Sequence, residues 1–168
     1  MNNDILTNST RFIVLVLLQV VLLNNINLFG FSNPMLYVLF IIWYPFKEQR
    51  ILFIGLSFLL GLTIDMFGDT GGIHAGASVF AAYLRPLLLR LSFGTSYEFQ
   101  TIKLGNTLFA PRFTYVSLLI LTHHLVLYSL EIFSFNHLPS ILIKTGVTGF
   151  FTLLISMLVI TLFSPKKS

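Results

Sequence analysis

Ionisable side chains lie inside or at the ends of long apolar segments of this sequence, and they are the residues that could do chemistry. They are Asp65, His74, Arg85, His123, His124, Glu131 and Lys144. Carboxylates and imidazoles transfer protons and bind metal ions, and opposite charges can join two helices. If these segments cross a membrane, a charge at its centre costs about 2.5–3.5 kcal/mol on insertion scales, so each residue indicates a function or a partner.

Asp65 lies near the end of one apolar segment, in the sequence Gly-Leu-Thr-Ile-Asp-Met-Phe-Gly that runs from Gly61 to Gly68. The spacing puts both glycines on the helix face of the carboxylate, so another backbone could approach it closely. Two interpretations remain open. Either Asp65 belongs to a polar seam or partner site, held by His74 or by amides of the glycine-rich turn, or it caps a helix hairpin.

Small and polar residues form a stripe along the helix predicted after this turn. The helix follows Gly72, and His74, Ser78, Ala81 and Arg85 have the spacing i, i+4, i+7 and i+11. We expect the stripe to pack against a helix or a partner. For Arg85, next to Pro86 near the helix end, we expect the long side chain to snorkel to the lipid headgroups rather than lie buried.

The remaining ionisable residues predict helix contacts rather than a reaction. Glu131 and Lys144 flank a short connection, so either an intramembrane ion pair or two separate snorkelling side chains is expected. His123 and His124 are adjacent and lack the i, i+4 spacing of a helical zinc site. His124 shares a face with Tyr128 and Glu131 that could carry protons, but hydrogen bonds between helices are the expectation. We predict no catalytic residues, cofactor or metal.

The composition predicts what positions these residues. The chain has 168 residues, 55% hydrophobic and 10% charged, with a mean hydropathy of +0.87 and no cysteine. Soluble domains carry roughly 25% charged residues, and a membrane span needs about 20 apolar residues. We therefore predict one all-α integral membrane domain over 1–168, a bundle of six transmembrane helices. The predicted spans are 12–29, 31–46, 51–67, 73–91, 113–133 and 138–163.

The basic residues predict the orientation of the spans. All ten except Lys144 flank the same side of the predicted bundle: Arg11, Lys47, Arg50, Arg85, Arg90, Lys103, Arg112, Lys166 and Lys167. The positive-inside rule then puts both termini in the cytoplasm. It also explains the net charge of +4 without a nucleic-acid partner, and we expect none.

The segment from Gly61 to Leu84 resembles the hallmark hairpin of the rod-shape-determining MreD family. The matching positions are Gly61, Asp65, Gly72, His74, Ala75 and Tyr83-Leu84. The resemblance also covers chain size, span number and cytoplasmic termini, while the other spans are generic apolar sequence.

This resemblance implies a non-catalytic scaffold subunit of the cell-elongation machinery in the bacterial inner membrane. The family binds an MreC-like bitopic scaffold. It works with an MreB-type filament, a RodA-type polymerase and a class B penicillin-binding transpeptidase in peptidoglycan synthesis. The alternative is the six-span substrate-capture subunit of an energy-coupling-factor vitamin transporter, which would need a polar pocket open to the outer face. An intramembrane enzyme would need a nucleophile–base pair, and the sequence offers none.

Overall fold

The computed structural model describes residues 2–26, 33–45, 49–94 and 104–163, and within these ranges the chain is helical and contains no strand. The helices are α1 (Asn2–Leu17), continued by a π turn (Leu18–Leu22) and a 3-10 turn (Leu23–Asn25), α2 (Val38–Trp43), α3 (Arg50–Gly68), α4 (Ile73–Phe93), α5 (Phe109–Ile132) and α6 (Leu138–Leu162). Short 3-10 turns, Leu104–Asn106 and Phe135–His137, precede α5 and α6. The basic residues Lys47, Lys103, Lys166 and Lys167 lie outside the described residues.

Among the described residues, four helical segments are long and apolar enough to cross a membrane: Leu6–Asn25, Arg50–Gly68, Phe109–Ile132 and Leu138–Leu162. Helix α4, with 21 residues, has the length of a span but a more polar sequence that includes Arg85 and Arg90. Ser78 and Arg85 are buried in the interior of the bundle, whereas Arg90 is exposed. The six spans and the cytoplasmic termini remain predictions.

Polar and apolar residues are distributed as lipid solvation requires. Large apolar side chains such as Ile51, Met66, Phe150 and Leu158 are exposed around the bundle. The buried side chains, in contrast, include a polar set: Gln19, Ser57, Asp65, Ser78, Arg85, His123, His124, Thr145, Thr148, Thr152 and Ser156. Helices in lipid gain nothing from burying leucine against leucine, and they associate through small residues and interhelical hydrogen bonds instead.

The predicted span 31–46 is wrong in its helical extent. The helix there, α2, has only six residues and rises about 9 Å, far less than the roughly 30 Å of the hydrocarbon core. Residues 37–39, 41 and 42 are 0% exposed, because α1, α4 and α5 surround this segment. Non-helical backbone is tolerated at membrane depth where protein buries it, and here the flanks of α2 are covered in that way.

The other predicted spans coincide with helices of the structure to within a few residues at most ends, and residues 27–29 of the predicted span 12–29 lie outside the described residues. Helix α1 begins ten residues earlier than the predicted span 12–29, at Asn2, and α5 begins at Phe109 instead of residue 113. Successive helices α3, α4, α5 and α6 pack side by side. The turn from α3 to α4 uses left-handed backbone at Asp69, Gly71 and Gly72, which glycine adopts without strain.

Candidate functional site

The carboxylate of Asp65 caps the first turn of α4 from the neighbouring helix. Its Oδ1 accepts a hydrogen bond from the amide of His74 at 3.0 Å, and its Oδ2 accepts one from the amide of Ala75 at 2.8 Å. The hydroxyl of Thr70 donates to Oδ1 as well. The first amides of a helix lack intrahelical partners, and Gly72 at the N-cap position has no side chain to serve them. Asp65 therefore caps the hairpin and is held by amides, not by the imidazole of His74.

The two glycines that flank this carboxylate in sequence have different environments. A Cβ atom added to Gly61 would lie 2.4 Å from the carbonyl oxygen of His74 and 2.5 Å from the Cα of Ala75, so α4 rests directly on the backbone of α3. Gly68 is exposed at the end of α3, where the nearest atom to an added Cβ belongs to Thr70 at 3.4 Å. The expectation of a close backbone approach is therefore met at Gly61 and wrong at Gly68.

Gln19 is not among the candidate residues from the sequence, and its side chain hydrogen-bonds to the backbone immediately before α2. It lies in the π turn that continues α1, a widened turn of the kind often found at functional positions. Its Oε1 accepts from the amides of Leu36 at 2.8 Å and Tyr37 at 3.4 Å, and its Nε2 donates to the carbonyl of Pro34 at 3.0 Å. One side chain thus satisfies three backbone groups of the segment immediately before α2. A lone glutamine in an apolar segment is the sequence signal for this role.

The side chain of Arg85 hydrogen-bonds to the backbone at the C-terminal end of α2. Its Nη2 donates to the carbonyls of Ile42, at 3.3 Å, and Tyr44, and its Nε donates to the hydroxyl of Tyr115 at 2.9 Å. The guanidinium also lies over the ring of Phe53, 4.8 Å from its centroid. The side chain is 4% exposed, so the expectation that it snorkels to the headgroups is wrong. A cation at the carbonyl end of a helix is favoured by the helix dipole.

Three rings from three elements meet at the hydroxyl of Tyr37, immediately before α2. The hydroxyl lies 2.7 Å from Nδ1 of His74 on α4 and 3.0 Å from Nε2 of His123 on α5. Tyr37 and His123 are 0% exposed, and His74 is partly buried. Ser78, one helical turn after His74, is also fully buried. The polar stripe of α4 thus faces the interior. The imidazole of His74 contacts Tyr37, which is not among the candidate residues from the sequence.

His124 holds a separate chain of hydrogen bonds between α5, α6 and the segment before α2. Its Nδ1 lies 2.8 Å from the carbonyl of Ile120 and its Nε2 lies 3.2 Å from the hydroxyl of Thr152. The hydroxyl of Thr152 in turn accepts from the amide of Met35 at 3.0 Å. Because a carbonyl can only accept, Nδ1 carries the proton and Nε2 accepts from Thr152. This imidazole therefore joins helices, as expected.

The face shared by His124, Tyr128 and Glu131 is not a hydrogen-bonded path. The hydroxyl of Tyr128 bonds to that of Thr148 on α6 at 2.7 Å, while Glu131 pairs with Lys144. The ammonium Nζ of Lys144 lies 2.7 Å from Oε1 of Glu131, and the two side chains are 29% and 37% exposed respectively. The structure thus contains the Glu131–Lys144 ion pair, one of the two alternatives that the sequence left open.

We expect this partly exposed pair to contribute little to stability. Neutralising either partner, Glu131→Gln or Lys144→Met, should lower the free energy of unfolding by about 0.2–1 kcal/mol, the range of exposed pairs. The exchanged double variant, Glu131→Lys with Lys144→Glu, should recover most of that loss. Thermal unfolding in detergent would measure both. A coupling energy of several kcal/mol would contradict the exposed character of the pair.

An apolar groove of about 270 Å³ lies between α5 and α6. It is lined by Ser117, Ile120, Leu121, Gly146, Gly149, Phe150 and Leu153. Asp65, His74, Glu131 and Lys144, which a transporter would use in a polar pocket, do not line it. Thr145, Thr152 and Ser156, the small-residue face of α6, are buried within the chain.

Comparison of the chain with protein-family models, with curated proteins and with solved structures found no match.

Proposed function

We propose that this chain is a non-catalytic scaffold subunit of the bacterial cell-elongation machinery, resembling the MreD family. It would reside in the inner membrane as a multi-pass protein with six spans and both termini in the cytoplasm. The observation that carries the proposal is the α3–α4 hairpin, because four of the seven residues that resemble the family, Gly61, Asp65, Gly72 and His74, fix its geometry.

Four of the seven matching hairpin residues have a packing task. Gly61 admits the backbone of α4, Asp65 caps that helix, and Gly72 supplies left-handed backbone at its start. The imidazole of His74 then ties the hairpin to Tyr37 before α2. A motif whose members position helices is what a scaffold requires, and the resemblance is therefore carried by residues with a physical reason to be present.

The buried polar side chains support a scaffold over a transporter. Discontinuous helices in secondary transporters expose their ends to substrates and ions. In this chain Gln19 accepts from the amides of Leu36 and Tyr37 immediately before α2, and Arg85 donates to carbonyls at the C-terminal end of α2. The chain's own side chains thus occupy the positions that a substrate or ion would use.

Contacts of the basic residues support the proposed orientation. Arg11 lies over the ring of Trp43 and Arg50 over the ring of Tyr83, while Arg85 contacts Tyr44. These contacts link the end of α2, the start of α3 and the second half of α4. Glu131, which pairs with Lys144, lies near the C-terminal end of α5, at the opposite end of the bundle. Cations gathered at one end of a bundle are typical of its cytoplasmic side.

The proposal is tested by gentle detergent extraction of the tagged chain from its native membrane and mass spectrometry of the proteins that accompany it. We expect an MreC-like bitopic scaffold, together with a RodA-type polymerase, a class B penicillin-binding transpeptidase or an MreB-type filament. Depletion of the chain should make rod-shaped cells round. Recovery of a cytoplasmic ATPase pair with a retained small molecule would overturn the proposal in favour of a vitamin transporter.

A further inference from the structure

We propose that His74, Tyr37 and His123 form a proton-transfer site, in which one added proton is shared by two imidazoles through the tyrosine hydroxyl. The two hydrogen bonds, 2.7 Å and 3.0 Å long, form a continuous path between the rings. This inference goes beyond the scaffold function and does not depend on it.

The favoured direction of the hydrogen bonds in the neutral site follows from one buried atom. Nδ1 of His123 has no hydrogen-bond partner among the described residues. Orphaned buried N–H donors are rarer than under-satisfied acceptors, so the proton of His123 resides on Nε2. Nε2–H then donates to the hydroxyl oxygen of Tyr37, whose own proton is donated to Nδ1 of His74. The remaining proton of His74 is on Nε2.

An added proton can occupy either end without breaking this path. With the charge on His123, its Nδ1 and Nε2 both carry protons and the bonds run as in the neutral site. Transfer breaks the Nε2–H bond of His123 and forms a new O–H bond on Tyr37. The earlier O–H bond breaks as an N–H bond forms at Nδ1 of His74. The charge is then on His74, Tyr37 is neutral again, and no other reactant is needed.

The site holds one added proton and not two. If both imidazoles were charged, each would direct an N–H donor at Tyr37, and the proton of the hydroxyl would have no imidazole to accept it. His74 is the least buried of the three rings, so the charged site exchanges its proton with solvent through Nε2 of His74. Loss of that proton leaves a neutral site in which both hydrogen bonds run in the opposite direction, from Nδ1 of His74 through Tyr37 to Nε2 of His123, and a proton from solvent enters this form. His74 lies at the end of the bundle where α3 turns into α4.

The titratable and charged groups that face the site come from α3 and α5: Asp65, His124, Tyr128 and Glu131. Asp65 accepts a hydrogen bond from the amide of His74, so its carboxylate lies beside that residue. Glu131 is compensated by Lys144 on α6. The π turn that continues α1 contributes the uncharged Gln19, which accepts a hydrogen bond from the amide of Tyr37. The surroundings therefore provide a counter-charge at the His74 end.

The test is nitrogen NMR of the full chain in lipid nanodiscs, with ¹⁵N-labelled histidine, from about pH 8, where a free imidazole is neutral, down to the lowest pH at which the bundle stays folded. Signals of His74 and His123 are assigned with variants that lack one of them. In the wild type we expect both rings to respond over the same pH range, together taking up one proton. In Tyr37→Phe we expect the response of His123 to be lost while His74 titrates alone.

Tyr128→Phe is the matched control, because it removes a buried hydroxyl that bonds to Thr148 outside the site. It should leave both responses unchanged. If Tyr37→Phe fails to fold, His74→Gln serves instead, since it keeps a hydrogen-bonding side chain and should abolish the response of His123. A wild-type His123 that never responds to pH overturns the proposal, as does one that responds equally in Tyr37→Phe or in His74→Gln.

Discussion

Replacing Arg85 with methionine should prevent the chain from accumulating as a stable, monodisperse bundle. The change keeps most of the side-chain volume but removes the donors to the carbonyls of Ile42 and Tyr44 and to Tyr115. Leaving a buried polar group unsatisfied costs about 1–3 kcal/mol, and no bulk water reaches this depth to replace the donors. Even after the relief from burying a charge, we expect a loss that is a large share of the roughly 5–15 kcal/mol that stabilises a domain.

The matched control for this variant is Arg90→Met, which removes an exposed guanidinium from the last turn of the same helix. Both variants are compared with the wild type by size-exclusion chromatography after detergent extraction and by thermal unfolding. Arg90→Met should resemble the wild type. If Arg85→Met unfolds at the same temperature as the control, Arg85 does not hold the end of α2.

Gly61→Ala should separate α3 from α4 and release the cap that Asp65 provides. The new Cβ would lie 2.4–2.6 Å from backbone atoms of His74 and Ala75, and backbone, unlike a flexible side chain, cannot rotate away. Overpacking of this kind costs about 1–3 kcal/mol. Displacing α4 by even a fraction of an ångström also weakens the hydrogen bonds of Asp65 to its first turn, so we expect a loss at or above the upper end of that range.

Gly55→Ala provides the control on the same helix, because a Cβ there would meet no atom within 4 Å. Since alanine favours a helix over glycine by about 1 kcal/mol, Gly55→Ala should be neutral or slightly stabilising. Thermal unfolding of both variants in the same detergent gives the comparison. Equal midpoints for Gly61→Ala and Gly55→Ala would show that the close approach of the two backbones is not required.

The long helices could be predicted because their apolar runs end at visible signals. Glycines and charged residues bound α3, and the predicted start of α6 at residue 138 is the observed one. Helix α2 could not be predicted in the same way. Hydropathy reports that a segment avoids water, and a segment enclosed by protein on all sides has the same apolar composition as one that faces lipid. The run 31–46 therefore predicted a span where the structure has a short enclosed helix.

The candidate site was predictable where its contacts are local. Asp65 and the first turn of α4 are nine and ten residues apart, and a motif within one hairpin displays them together. Tyr37 contacts partners 37 and 86 residues away, and Gln19 contacts one 17 residues away. Spacing along a single helix carries no information on such pairs. Arg85 is a candidate residue in the sequence, but the expected environment of its side chain is wrong. Its acceptors are backbone carbonyls at the end of α2, and side-chain types along a sequence carry no information on backbone partners.

The short, enclosed helix α2 also has a consequence for how the protein is made. Helices long enough to span the bilayer can enter it one by one, since each satisfies its own backbone. The segment around α2 cannot, because amides and carbonyls in it bond to the side chains of Gln19, Arg85 and Thr152, the last two of which are synthesised later. We therefore expect residues 33–45 to reach their final position only after α6 has emerged from the ribosome. The last step of folding then takes place at the centre of the molecule and not at its last helix.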